Sequence, residues 1–287
     1  MTVLTYEESV QYIRSQPELA NDVKLGYLDR DNLMAAERFA ASEEFSDLQR
    51  TLRLRKTQPK KILDVGCGNG IASYAFAMLG HDVFAVDPDT SEDVGLGAAA
   101  RLARIVKQGK ISTHKAFAES LPFSDSSFDI VYTRQAVHHY SDLRQGLVEC
   151  ARVLKPGGIL FATREHVISD EKQLEVFLRD HLLHKLHGGE NAYTLATYCL
   201  ALQHAGLTMK RCYGTYDTVI NHFPWSNAEI QASARLATEG KFGKLLTPFV
   251  TSILPLETMW RRRRSHLHQY PGRMYSFLCE RPRTPNS

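Results

Sequence analysis

The hydrophobic and polar positions of this chain change period several times, and each change marks an element. Ile62 to Val65 is a short apolar run with β-branched residues, which predicts a buried strand. Ile71 to Leu79 is apolar and alanine-rich, as a helix would be. A second strand is predicted over His81 to Val86, then a basic helix near Gly95–Gln108 and a short strand near Ile111–Ala116. Ser127 to Tyr132 gives a fourth strand. From Asp142 to Leu154 the residues Leu143, Leu147, Ala151 and Leu154 share one face, the stripe of a helix packed on a core. Lys155-Pro156-Gly157-Gly158 stops it, and Gly158 to Thr163 reads as the fifth strand. Strands alternating with helices predict a parallel, doubly wound sheet.

The flanks are patterned differently. Residues 1–58 read as a polar helical extension, with a capping box formed by Thr5 and Glu8, a stop at Pro17, a second helix over Asn32–Ala41 and a basic stretch from Arg50 to Lys56. Asp170–His187 reads as one helix, ended by Gly188-Gly189, and Thr194 caps another that runs to His204. Leu207–Tyr213 and Met274–Glu280 alternate as strands. The long connection over 214–272, with the 166–193 segment, is read as a substrate cap, since connections of that length in a compact domain are usually functional. The expected organisation is an extension at 1–58, a core at 59–165, and the rest of the core with its cap helices at 166–287.

Between the first strand and its helix stands Asp64-Val65-Gly66-Cys67-Gly68-Asn69-Gly70. Strand, glycine turn and helix form the first half of a nucleotide-binding βαβ unit. Glycine suits the turn because it can take positive φ and bring bare backbone against a ligand. The spacing is not the G-x-G-x-x-G of dinucleotide sites, and no Lys-Ser/Thr pair follows as in a P-loop. The string closely resembles the first motif of class I S-adenosylmethionine-dependent methyltransferases, of the type-11 methyltransferase domain group. That resemblance implies a doubly wound, seven-stranded Rossmann-like α/β sheet, with S-adenosylmethionine as cofactor and S-adenosylhomocysteine as product. It implies cofactor contacts from Asp64, Gly66, Cys67 and Gly68, and from Arg134 at the end of the fourth strand. Asp87 and Pro88 close the second strand, where an acid can accept both ribose hydroxyls. Ala118-Glu119-Ser120-Leu121-Pro122-Phe123 resembles the family's adenine-contacting element, except that Phe117 stands where an acid is expected. Phe117 cannot accept the adenine amino group but can pack on the ring face, with Ala118 and Glu119 beside it. By the same resemblance the N-terminal helices close over the cofactor; the plainer alternative is packing against the sheet edge.

Methyl transfer from a sulfonium is an in-line displacement, so a hydroxyl acceptor gains from a base while a neutral amine needs none. His138 and His139, just past the fourth strand, and His166, placed just past the fifth beside Glu165, are the candidate bases. His181, His184, His187 and Glu190 invite a metal reading through the i, i+3 pair His184 and His187, but with no second paired cluster in the sequence no metal ligand is assigned. Tyr193, Tyr213, Tyr216, His222 and Trp225 are candidates for an aromatic substrate pocket.

Composition narrows the partners. A net charge of +3 is too small to imply a polyanion, so nucleic acid is not expected. Five scattered cysteines without a C-x-x-C argue for a reducing compartment. With no signal pattern and no run of 18 apolar residues, a cytoplasmic location is expected. Arg261–Arg264, after the apolar stretch that begins at Leu245, leaves a peripheral membrane contact through 245–264 open beside a solvated helix end. The expected function is methylation of an oxygen or nitrogen on a small molecule. The alternatives are a lipid-linked, glycan or quinone-type acceptor at a membrane surface, and a binding protein that keeps the fold without turnover.

Overall fold

The computed structural model describes residues 4–222, 224–243, 255–267 and 269–283. The strands are β1 (Lys61–Val65), β2 (Asp82–Asp87), β3 (Lys110–Lys115), β4 (Phe128–Arg134), β5 (Leu154–Ile168), β6 (Tyr193–Thr194), β7 (Thr208–Tyr213) and β8 (Arg273–Glu280). They form one sheet in the order β3-β2-β1-β4-β5-β8-β7, with the two-residue β6 paired to the end of β5. The strands from β1 to β5 run parallel, and β8 is antiparallel to both β5 and β7. The expected doubly wound sheet is therefore present, with seven strands on its main path and β6 as an addition. The strand order reverses between β1 and β4, the switch point where such sheets open a crevice for a ligand.

Local chemistry explains the elements around that crevice. The helix Ile71–Met78 is apolar almost all round and is buried between the sheet and the N-terminal helices. Asp142 caps Leu143–Val153 and Thr194 caps Leu195–His204, as their positions predict. The capping box at Thr5 and Glu8 is closed in both directions and starts Tyr6–Ser15.

The extension is more than a leader. Tyr27, Phe39, Phe45 and Leu48 are buried with Ile62, Phe76, Tyr132 and Phe161 in one continuous cluster. Helices Asn32–Ala40 and Glu43–Leu52 thus cover one face of the sheet, while Leu143, Leu147, Tyr198 and Phe277 belong to the cluster on the other.

Two expectations need correction. The fifth strand does not end at Thr163; it continues to Ile168, so His166 lies inside it. A bulge between Ala162 and Glu165 keeps the pairing to β8 going, with Arg164 at φ 60°. Bulges re-aim side chains, which is how one long strand can carry both core and site residues. The segment over 170–187 is two helices, Glu171–Asp180 and Leu182–Leu186, broken at His181. His181 takes an extended conformation there, and its amide bonds back to the Phe177 carbonyl.

Candidate active site

The glycine loop leaves β1 with Gly66, Gly68 and Gly70 all at positive φ. Gly66 and Cys67 both donate backbone N–H bonds to the Val86 carbonyl, tying the loop to β2. A Cβ at Gly66 would stand 2.4 Å from the Cβ of Ala136, so the loops after β1 and β4 touch and only glycine fits between them. A Cβ at Gly68 would meet nothing closer than the Val94 carbonyl at 3.8 Å. This position is bare toward the crevice, a cradle for a ligand.

Two carboxylates frame the loop. Asp64 is buried and accepts the Ser73 hydroxyl at 2.6 Å. Burial raises its pKa to about 7, and the nearby Asp87 adds to the rise. Asp87 accepts the Gly68 N–H at 2.8 Å through one oxygen and the Asp89 N–H at 2.9 Å through the other. Each oxygen keeps a second lone pair, so the carboxylate can still take up ribose hydroxyls. Burial pushes its pKa upward.

Opposite the loop, the turn after β4 is held by a single side chain. Glu165 on β5 accepts the N–H groups of Ala136 and Val137 at 3.2 Å, that of His138 at 3.1 Å, and His138 Nδ1 at 2.7 Å. Four donors on one buried carboxylate fix the turn over Val137–His139 and the ring of His138 together. Burial opposes charge on His138, but Glu165 and then Glu190 outweigh it and lift the pKa to about 9. At neutral pH this ring holds a proton, which makes it a poor general base. Burial drives His166 down to about 3, and His138 adds to the fall. His139 is 42% exposed at its side chain, with Nδ1 on the Gly189 carbonyl at 3.0 Å. Burial also lowers its pKa, leaving a neutral ring at the cavity.

These parts line one cavity of about 780 Å³, within the roughly 300–1,000 Å³ typical of small-molecule sites. Its wall includes every predicted cofactor residue: Asp64, Gly66, Cys67, Gly68, Asp87, Pro88, Phe117, Ala118, Glu119 and Arg134. The three predicted histidines, His138, His139 and His166, line it too. Phe117 is 60% exposed on that wall, free to cover a ring. Glu119 is partly engaged, accepting the Asp142 N–H at 3.1 Å. Arg134 is committed more firmly: its guanidinium forks onto buried Glu44 at 2.7 and 3.1 Å, so it clamps the extension to β4.

Sequence reasoning missed several groups. Asn69 donates to the Tyr27 carbonyl, and Asn32 donates back to the Asn69 carbonyl, so the extension braces the glycine loop. Arg14 pairs with Asp93, and Glu7 accepts the Asp93 N–H, which brings Thr5 and Tyr6 onto the cavity wall. Leu4 donates to the Leu186 carbonyl and accepts from His187, so the extension meets helix Leu182–Leu186 at the cavity wall. His187 is thereby used structurally, and the pairing of His184 with His187 is not what forms. Instead His181 and Glu190 join His138, His139 and His166. The turn at Gly188 and Gly189, at φ 81° and 78°, delivers Glu190 to them. Tyr193, Tyr213, Tyr216, His222 and Trp225 lie outside this cavity's lining, and Trp225 lines a second pocket with Tyr27 and Val219.

The arginine run is likewise not a uniform exposed patch. Arg261 is buried, paired with Glu257 at 2.9 Å, and bonded toward Tyr216 and His222. Residues 245–254 of the proposed contact lie outside the described residues. Among the described residues no helix is long and apolar enough to cross a membrane.

The strand order, the glycine loop at the switch point and the acid ending β2 are those of the class I, Rossmann-like methyltransferase fold. Residues 63–162 match the family model described as Methyltransferase domain, and the chain carries that domain. Among curated proteins, a ubiquinone biosynthesis O-methyltransferase of Rhizobium etli is 28% identical over 173 residues, 60% of this chain and 64% of that enzyme. The uncharacterized methyltransferase YcgJ of Bacillus subtilis is 34% identical over 140 residues, 49% of this chain and 53% of its own. The match therefore spans less than two thirds of either relative. The crystal structure of YcgJ superposes with a TM-score of 0.54 at 20% identity, covering 84% of this chain and 99% of that one. The [4+2]-cyclase SpnF gives 0.56 at 18%, covering 84% and 81%. Such structural likeness shows the fold, and a cyclase among the neighbours is a reminder that fold alone does not fix a reaction. The Methyltransferase domain matched over residues 63–162 implies S-adenosylmethionine as the cofactor.

Proposed function

We propose that this chain transfers the methyl group of S-adenosylmethionine to a hydroxyl oxygen of a small molecule. The observation that carries this reading is that the glycine loop with Asp87 and the histidine group around Glu190 face one cavity. The cofactor supplies an activated methyl on a sulfonium. Asp64, Gly66, Gly68 and Asp87 are placed to hold it, with Phe117 and Ala118 against its base. The helix Tyr6–Ser15 and the segment through Leu186–His187 meet at the cavity wall, Tyr6 against His187. His139, neutral and partly exposed on the cavity wall with its Nδ1 held by the Gly189 carbonyl, is placed to take the hydroxyl proton through Nε2. His138, held protonated by Glu165, orients the acceptor as a donor. A neutral amine would need none of this apparatus, which favours oxygen over nitrogen. The O-methyltransferase names of several relatives point the same way.

The test is calorimetric titration with S-adenosylhomocysteine, followed by an acceptor screen read by mass gain. Micromolar binding is expected, lost in Asp87→Ala. A folded protein with no measurable affinity would overturn the cofactor assignment. Binding without any methylated product across hydroxylated acceptors would favour a binding role instead.

A further inference from the structure

We propose that Glu190 anchors a site for one divalent transition-metal ion on the wall of the cofactor cavity, with ligands drawn from His138, His139, His166 and His181. Two groups of donor atoms carry it: His138 with His139 and Glu190, and His166 with His181 and Glu190. Within each group the ligand atoms lie within 4.8 Å of one another, and the groups share Glu190.

The spacing is that of ligands, not of hydrogen bonds. His138 Nε2 lies 3.6 Å from Glu190 Oε2, His139 Nε2 lies 3.7 Å from the same oxygen, and His181 Nδ1 lies 3.7 Å from Oε1. Each is too long for a hydrogen bond. Metal–ligand bonds of about 2.0–2.2 Å place neighbouring donor atoms about 3–4 Å apart, so an ion fits between them with little movement.

The outer contacts are those that metal ligands use. His138 Nδ1 meets the Glu165 carboxylate, His139 Nδ1 the Gly189 carbonyl and His166 Nδ1 the Gly272 carbonyl. A carbonyl can only accept, so Nδ1 carries hydrogen in His139 and His166 and the lone pair of the neutral ring sits on Nε2. Carboxylate or carbonyl partners on the outer nitrogen are the usual support for ligating histidines. A further observation points to a ligand: His181 Nδ1 is buried with no hydrogen-bond partner. Its position at the break between the two cap helices points it at Glu190. Two imidazoles and one carboxylate leave coordination positions open to an acceptor.

The role of the ion rests on the methyl-transfer reading; its binding does not. With the ion on His166, His181 and Glu190, a hydroxyl of the acceptor coordinated to it loses its proton to His139; with His139 itself a ligand, the proton goes to solvent. The hydroxyl oxygen then bonds the methyl carbon as the carbon–sulfur bond breaks, and that electron pair stays on sulfur to leave a neutral thioether. The acceptor class this favours has adjacent oxygen ligands, such as a catechol or an α-hydroxy ketone.

The experiment is titration of chelator-treated full-length protein with Co²⁺, read by visible absorption and by calorimetry, and with Zn²⁺ in competition. The expected result is one ion per chain, with intense absorption of a low-coordinate site. Glu190→Gln should weaken binding by about 100-fold or more, and Glu165→Gln, through the His138 ring, by roughly 10–100-fold. His181→Ala and His139→Ala then separate the two groups, one losing affinity and the other not. Thermal unfolding without metal checks that each variant is folded. Failure to bind Co²⁺ or Zn²⁺ at 1:1 below about 10 μM, a Kd that corresponds to roughly 7 kcal/mol of binding, would overturn the site. So would a folded Glu190→Gln protein with undiminished affinity. S-adenosylhomocysteine titration on the same sample keeps the two readings apart: S-adenosylhomocysteine binding without metal binding sinks only the ion, and the converse sinks only the cofactor.

Discussion

Replacing Glu165 by Gln removes one acceptor from a carboxylate that serves four donors, and the consequence can be worked out donor by donor. Oε1 takes the N–H groups of Ala136 and Val137, and Oε2 takes the N–H and Nδ1 of His138. If the amide NH₂ faces the first pair, two buried donors point at a donor. If it faces the second, the His138 ring can release its Nδ1 proton and accept from the amide, so a single buried N–H is stranded. The second arrangement is favoured. It costs about 1–3 kcal/mol for the stranded donor plus the loss of a charge-assisted bond worth about 1.5–3 kcal/mol. A net loss of about 3 kcal/mol is expected, which in a chain this long lowers the melting temperature by roughly 6–12 °C. The turn it holds is the wall against Gly66, so affinity for S-adenosylhomocysteine should fall as well. Differential scanning calorimetry and titration on ligand-free protein check both. A melting temperature within about 2 °C of the wild type, with unchanged affinity, would refute the claim that this carboxylate organises the site.

Gly66→Ala places a methyl group 2.4 Å from Ala136 at a left-handed φ and should lose about 2–3 kcal/mol of stability together with cofactor binding. Gly68→Val has room at its Cβ, so unfolding should show a loss of only about 1–2 kcal/mol while calorimetry shows binding abolished. Phe39→Ala, in a helix far from the chemistry, should cost about 3–5 kcal/mol because its ring is fully buried against Tyr27 and Phe45; a loss under about 1 kcal/mol would mean the extension is dispensable to the core. Asp64 has a folded pKa raised to about 7 by burial, so it contributes stability that is present below about pH 4 and lost as pH rises toward about 7. Relative to Asp64→Asn, wild-type stability in denaturant titrations should decline across that window by at most about 4 kcal/mol; parallel curves would mean the carboxyl ionises freely in the fold.

What could be read from the sequence was what repeats locally. The glycine spacing, the acid ending β2 and the apolar periods of the core strands are short-range patterns, and the fold keeps each where it was expected. The length of β5 was not legible, because the bulge at Arg164 depends on pairing to β8, a strand more than a hundred residues later. That bulge is what brings Glu165 and His166 to the site, so their roles depend on a contact that no local window contains. The same holds for Arg134, whose partner Glu44 lies in the extension, and for Asn69, whose partners are Tyr27 and Asn32. Each half of such a pair is an ordinary polar residue until the chain is folded. The histidines show the limit most clearly. Spacing along a helix singled out His184 and His187, because an i, i+3 pair is visible in one dimension. The group that assembles takes His138 and His139 from the end of β4, His166 from within β5, His181 from a helix break and Glu190 from a glycine turn. These five side chains from four segments converge only because the sheet aligns the ends of β4 and β5 and the segment through His181 and Glu190 folds back across them. The core of the fold was thus written in local periodicity, and the chemistry of the acceptor side in tertiary registration.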